Sequence, residues 1–247
     1  MAKKKKTKPT DTRKPRESIL AFSCLHAPYN HSDALEFLSA IKDKYQPQLV
    51  VNVGDELDYH AMSFHTSDPG LPSAGYELNA ARAVLGELDE LFPEVHCVGS
   101  NHGDMKYRKA KFANIPAQLL VSYREACGVG PGWSWTQNFT IELPTGQPCY
   151  FVHSYSTSAR IGAEHLGMCL VQGHYHTAFE TAYVSSPGRQ YWGATIGCLI
   201  DDESMAFAYN QTFRKRPIVG CLVILDGQPY LKKMVLDDKG RWIGKIT

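Results

Sequence analysis

Leu49-Val50-Val51-Asn52-Val53-Gly54-Asp55 is the stretch on which the fold turns. An apolar run this short, ending abruptly in Gly-Asp, reads as a buried strand that delivers a carboxylate at its carboxyl end. Upstream, Ile19-Leu20-Ala21-Phe22 is a similar run ending in Ser23-Cys24-Leu25-His26. Between the two, residues 32–45 have helical periodicity, with Leu35, Leu38 and Ile41 on one side and Phe37 alongside. Downstream, residues 76–92 repeat the helical pattern, and Val95-His96-Cys97-Val98 runs into Gly99-Ser100-Asn101-His102. Strand, helix, strand, helix, strand predicts an α/β fold with a parallel sheet. The later segments 139–143, 149–153, 168–172, 180–184, 191–197, 218–225 and 229–236 are short and β-rich, and are read as a second sheet facing the first.

The chain has 247 residues, 43% of them apolar and 21% charged, ordinary values for a globule. The net charge of +1 conceals an uneven distribution. Residues 1–16 carry eight Lys or Arg against one Asp, with two prolines and no large apolar side chain after Met1. Such a segment cannot bury itself and is expected to be a disordered basic tail, leaving 17–247 as one domain. The tail is either an arm for a polyanion or a solubilising extension. The rest of the chain is acidic, with 18 bases against 24 acids. Seven dispersed cysteines without Cys-x-x-Cys argue against a disulfide framework and for a cytoplasmic location. No apolar run approaches a membrane span.

Five apolar runs end in candidate metal ligands: Cys24 with His26, Asp55, Asn101 with His102, His153, and His174 with His176. In α/β sheets ligands gather beyond the carboxyl ends of strands. Cys24-Leu25-His26, Gly54-Asp55-x-x-Asp58, Ser100-Asn101-His102, His153 and Gly173-His174-x-His176 resemble the five blocks of the calcineurin-like metallophosphoesterases, in that family's order. The resemblance implies a four-layer αββα sandwich with two facing mixed β-sheets. It also implies two divalent metal ions: one held by Cys24, His26, Asp55 and His176, the other by Asp55, Asn101, His153 and His174. A carboxylate can bridge two ions through its two oxygens, which suits Asp55 to the shared position, with a bridging water deprotonated near neutral pH. His102 matches the family's non-ligand histidine, which stabilises or protonates the leaving oxygen, and Asp58 is expected to accept a hydrogen bond from it and set its tautomer. Residues after 190, including Gly197-Cys198-Leu199 and Pro217-Ile218-Val219-Gly220, look like bacteriophage-borne members, which would place the protein in a host cytoplasm.

Most of that family carries Asp where Cys24 stands. A thiolate shifts preference from Mg²⁺ towards Zn²⁺ or Fe²⁺, with Mn²⁺ also a candidate ion. Cys24 is either a soft ligand in a working site or a damaged one. RNA lariat debranching enzymes make the same exchange, which with the basic tail leans the reading towards a phosphodiesterase or nuclease acting on nucleic acid or nucleotides. A phosphomonoesterase and a non-catalytic scaffold are the alternatives. The partner is then a phosphate ester, nucleic acid among the candidates, with no membrane; oligomeric state is not encoded legibly. Candidate substrate walls are the turn-rich segment 59–75 with His60, His65, Asp68 and Pro69, the run Lys106-Tyr107-Arg108-Lys109, the aromatics Trp133, Trp135 and Tyr155, and Phe213-Arg214-Lys215-Arg216. Each is equally read as a solvated loop or core packing. Cys97, Cys127, Cys149, Cys169, Cys198 and Cys221 read as small core residues.

Overall fold

The computed structural model describes residues 18–64, 70–204, 206 and 215–247. The basic tail, His65, Asp68, Pro69, Phe213 and Arg214 lie outside the described residues. The chain runs β1 (Ser18–Phe22), α1 (Ala34–Tyr45), β2 (Leu49–Asn52), α2 (Ala74–Leu91), β3 (Val95–Val98), α3 (Met105–Phe112), α4 (Tyr123–Cys127) and β4 (Trp133–Thr136). It continues through β5 (Asn138–Glu142), β6 (Pro148–Val152), α5 (Ala159–Leu166), β7 (Cys169–Gln172), β8 (Phe179–Ser186), β9 (Arg189–Ile196), β10 (Gly220–Leu225), β11 (Gln228–Leu236) and β12 (Trp242–Ile246).

Two mixed sheets face each other. One has the order β12-β11-β10-β1-β2-β3-β4, the other β5-β6-β7-β9-β8. The first four strands of the chain are parallel neighbours, Ile19 pairing with Leu49 and Val51 with His96. Alternate side chains of β1 take opposite faces. Leu20 and Phe22 join Phe37, Leu38, Ile41, Leu85 and Leu88 of α1 and α2, while Ile19 and Ala21 join Phe151, Val171 and Ile196 of the second sheet. A strand buried on both faces needs no polar alternation, which explains the continuous apolar runs. Helix α5 packs on the outer face of the second sheet, against β7, β8 and β9, and completes the α/β sandwich. No helix among the described residues is long and apolar enough to cross a membrane.

Segments 218–225 and 229–236 do not belong to the second sheet, as the sequence reading had them. They are β10 and β11, and β10 pairs antiparallel with β1, Ile19 opposite Ile224. Alternation along a strand says which residues are buried but not which neighbour supplies the hydrogen bonds. Trp133 is no base-stacking platform: it is buried in β4, its indole N–H donating to the Phe92 carbonyl at 3.1 Å. All seven cysteines are buried and unpaired by disulfides.

The last strand is pinned to the first helix by a single acid. Asp33 stands at the start of α1, but its carboxylate does not cap that helix. It accepts from the Arg241 guanidinium at 2.8 Å and from the Trp242 backbone N–H at 2.8 Å. The ring of Trp242 packs edge-on against Phe37, 5.6 Å between centroids. The Arg241 hydrogen bonds draw the Asp33 carboxyl down from 3.8 to about 2. A depressed carboxyl adds stability in full above its unfolded value and loses it as pH falls towards the folded value. Asp33→Asn is expected to cost about 1–3 kcal/mol near neutral pH. In urea titrations the gap between parent and variant should narrow below pH 3.8 and close near pH 2.

Candidate metal centre

Five loops at the carboxyl ends of β1, β2, β3, β6 and β7 meet at one point. Cys24, His26, Asp55 and His174 all adopt left-handed backbone, with φ of 54°, 51°, 59° and 64°. A non-glycine residue held there costs on the order of 1–3 kcal/mol and persists only where its surroundings over-determine it. Here a ladder of backbone bonds does so: Cys24 N–H to Gly54 O, His26 N–H to Asp55 O and Ala27 N–H to Glu56 O, each 2.9 Å. The loops are also too close for extra atoms. A Cβ on Gly173 would lie 1.8 Å from Ser23 Oγ, and one on Gly54, itself at φ 90°, would lie 2.7 Å from His153 Nδ1.

Asp55 is the hub. Its Oδ2 lies 3.0 Å from His153 Nε2 and 3.5 Å from His26 Nε2. Its Oδ1 accepts the His102 backbone N–H at 3.2 Å, and its own N–H donates to Ser100 Oγ at 3.0 Å. Burial opposes its charge, yet His153 above all, with His102 and His26, holds the carboxyl well below the usual range. The two flanking histidines are tethered through their other nitrogens. His153 Nδ1 donates to the Val53 carbonyl at 2.7 Å, and His26 Nδ1 bonds the Asp58 carboxylate at 2.6 Å. Fixing Nδ1–H turns each Nε2 lone pair inward, the arrangement that outer groups impose on metal-binding imidazoles.

His153 Nε2 also lies 3.0 Å from Asn101 Oδ1. With Nδ1–H already committed, this nitrogen, a carboxylate oxygen and an amide oxygen converge as three lone pairs. Only a positive charge reconciles them, either a second proton on the ring or a metal ion. The raised His153 pKa has the same origin: burial works against protonation but is outweighed by Asp55. The donor atoms of Cys24, His26 and His176 lie within 4.8 Å of one another, as do those of Cys24, Asp55 and His153, and of His26, Asp55 and His102. His174 joins through its backbone N–H, 3.2 Å from Cys24 Sγ, and through its ring, 5.1 Å from that of His153. Burial pushes the Cys24 thiol well above its usual range, and Asp55 pushes it further. Burial and the neighbouring His26 hold the His176 ring well below its usual range, and therefore neutral.

All nine residues singled out in the sequence therefore lie in one cluster, but Asp58 is used differently from expectation. Its carboxylate holds His26, while His102 Nδ1 bonds the Asp58 backbone carbonyl. His102 Nδ1 is 3.7 Å from the Asp58 carboxylate. The carboxylate oxygen nearest an imidazole goes to the more buried ring, because burial makes an unpartnered polar group more costly there. Sequence reading also gave no role to Ser100, whose hydroxyl accepts the N–H groups of Asp55 and Gly103, or to Ser23, 3.0 Å from Cys24 Sγ. Their adjacency to the chosen ligands was the available signal. Beside the cluster opens a cleft of about 440 Å³ lined by Ser100, Asn101, Asp104, Gln137, His153 and His174 among others.

No family model and no curated protein matches the sequence. Solved structures with a similar chain path include Vps29 from Chaetomium thermophilum, with 10% identity over 94% of this chain and 93% of that one and a TM-score of 0.48. A protein described as a predicted phosphoesterase from Streptococcus pneumoniae has 11% identity over 93% and 94%, with a TM-score of 0.38. Nuclease MPE from Pseudomonas putida has 11% identity over 86% and 85%, with a TM-score of 0.35. At these identities the functional reading rests on the site's own atoms.

If Asp58 orients His26 for a cation, Asp58→Ala should weaken Zn²⁺ and Mn²⁺ binding by about 10- to 100-fold. Calorimetric titration of metal-stripped protein measures this, and unchanged affinity would show that the pair serves folding alone.

Proposed function

We propose that this protein is a divalent-metal-dependent phosphoesterase, acting on phosphodiesters of nucleotides or nucleic acid. The observation that carries the reading is the convergence of Cys24, His26, His102 and His153 on the buried Asp55 carboxylate, with His176 beside Cys24 and His26. Cys24, His26, Asp55 and His176 would hold one ion, and Asp55, Asn101, His153 and His174 a second. A donor set of one sulfur, several imidazoles and a carboxylate suits Zn²⁺ or Fe²⁺ better than Mg²⁺. When bound, the ions supply charge neutralisation for the phosphoryl oxygens and acidify water.

The chain's own residues supply the rest. The acids beside Asp55 are engaged elsewhere: Asp58 is occupied by His26, and the buried Glu56 accepts from Trp135 and Tyr123 with its carboxyl pushed up by burial to about 7, while Asn101 is neutral. His102 keeps Nδ1 on the Asp58 carbonyl, which leaves Nε2 to exchange a proton with the leaving oxygen. Burial and His26 lower its pKa, so the ring is neutral until an arriving phosphate anion favours its protonated form. The cleft supports a diester over a monoester. Among the described residues its lining includes Asp104 and the amides of Gln137 and Asn138, but no lysine or arginine to neutralise a second phosphate charge.

Metal-loaded protein is expected to turn over bis-p-nitrophenyl phosphate faster than p-nitrophenyl phosphate. His102→Ala should lower kcat by about 10²- to 10⁴-fold with metal content unchanged. Exclusive monoester cleavage would reverse the substrate assignment. No cleavage by the loaded parent, with His102→Ala indistinguishable from it, would make the centre a binding scaffold. Cys24→Asp should retain metal while moving the preferred ion towards Mn²⁺ or Mg²⁺, read by metal analysis and activity across ions; an unchanged preference would remove Cys24 from the ligand set.

A further inference from the structure

Helix α3 follows His102 after only two residues, and its charge runs against the acidic balance of residues 17–247. It carries Lys106, Arg108, Lys109 and Lys111 with no acid in its eight residues, whereas residues 17–247 as a whole hold more acids than bases. Lys106 is engaged inward, donating to the Val121 carbonyl at 2.7 Å. Arg108, Lys109 and Phe112 fall on one helical face, spaced at three and four residues. Phe64 lies against that face, its ring 5.0 Å from the Arg108 guanidinium, 4.1 Å from Lys109 Nζ and 6.2 Å edge-on from the Phe112 ring. Phe112 itself is 80% exposed and Phe64 46%. Favourable cations at a helix carboxyl end explain Lys109 and Lys111, but not a phenylalanine ring presented to water beside them.

Both arms of this surface grow from the metal centre. Phe64 closes the turn that begins after Asp58, and the Met105 N–H that opens α3 donates to the His102 carbonyl at 3.0 Å. We propose that the exposed face of α3, with Phe64, is a platform for a single-stranded polynucleotide, which it guides to the metal centre. This rests on the phosphodiester reading for the chemistry at its end. Cations track a phosphate backbone, and exposed rings alternating with them stack unpaired bases. A duplex hides its base faces and could use only the cations. A lipid surface would use the cations and rings together with the exposed aliphatic side chains Leu119 and Val121 that follow α3. What favours a polynucleotide is the position of the rings and cations at a helix that starts just beyond His102, beside a site read as cleaving phosphodiesters.

The test is fluorescence anisotropy of the full chain with labelled oligo-dT, oligo-U and a duplex of equal length, in EDTA so that binding is read without cleavage. Single strands should bind more tightly than duplex, with the dT and U arms showing whether DNA or RNA is preferred. Phe112→Ala should weaken single-strand binding by about 5- to 150-fold. Lys109→Ala should reduce the slope of log affinity against log salt by about 0.7 for a single strand. Turnover of bis-p-nitrophenyl phosphate by the same variants reads the metal centre separately. Parental turnover with single-strand binding indifferent to Phe112 overturns the platform alone. Phe112-dependent binding without any parental turnover overturns the hydrolase reading and leaves the platform standing. Phe112-dependent binding to phosphatidylserine vesicles, with oligonucleotide affinity unmoved, makes the surface a lipid contact and overturns the proposal.

Discussion

A carboxylate that is 1% exposed, with imidazole nitrogens 3.0 and 3.5 Å away, is the constraint to which the rest of the structure answers. A buried charge without compensation would cost several kcal/mol. Asp55 is compensated from three loops at once, those after β1, β3 and β6, and its partners are fixed in turn. Val53 O fixes His153, Asp58 fixes His26, and Ser100 fixes the Asp55 backbone. The parallel arrangement of β1, β2 and β3 on one sheet, and of β6 and β7 on the other, brings their carboxyl ends to the same edge of the sandwich.

How much of this was legible before the structure depended on the range of the interaction. Buried strands declare themselves through unbroken apolar runs, so β1, β2 and β3 and the helices between them were read within about two residues. The clustering of the candidate ligands was legible because they lie at the ends of such runs, and strand ends are where a sheet can present side chains to a common point. β10 and β11 were recognisable as strands but were given to the wrong sheet, since the pairing of β10 with β1 joins residues more than 190 positions apart. Short helices such as α3 and α5 were missed. α3 is defined by charge with scarcely any apolar stripe, and α5, though amphipathic, is only eight residues long with Gly162 inside it, too short for its period to stand out as it does in α1 and α2.

The finer wiring was not legible at all. Gly-Asp-x-x-Asp places Asp58 near the centre, but whether its carboxylate or its carbonyl meets His102 is decided by fractions of a turn in residues 55–59. Tyr59 there takes a left-handed φ of 55°, and this turns the chain so that the carboxylate faces His26 and the carbonyl faces His102. Strain of this kind leaves no mark in composition, because the same amino acids adopt ordinary backbone elsewhere.

The same strain bears on what a bound cation does for the protein. Four of the residues assigned to the centre are held in left-handed backbone, the Cys24 thiol is pushed up by burial, and His153 Nε2 faces two oxygen acceptors. The backbone strain is a cost of the loops themselves, whereas the protonated thiol and the converging lone pairs are features that a bound cation would relieve. Were an ion to bind there, the Cys24 thiol would give up its proton and the converging lone pairs would be neutralised, so that part of the binding free energy would be folding free energy. The backbone ladder between residues 24–27 and 54–56 orders Cys24, His26 and Asp55 relative to one another, which would limit the entropy lost if a cation bound among them.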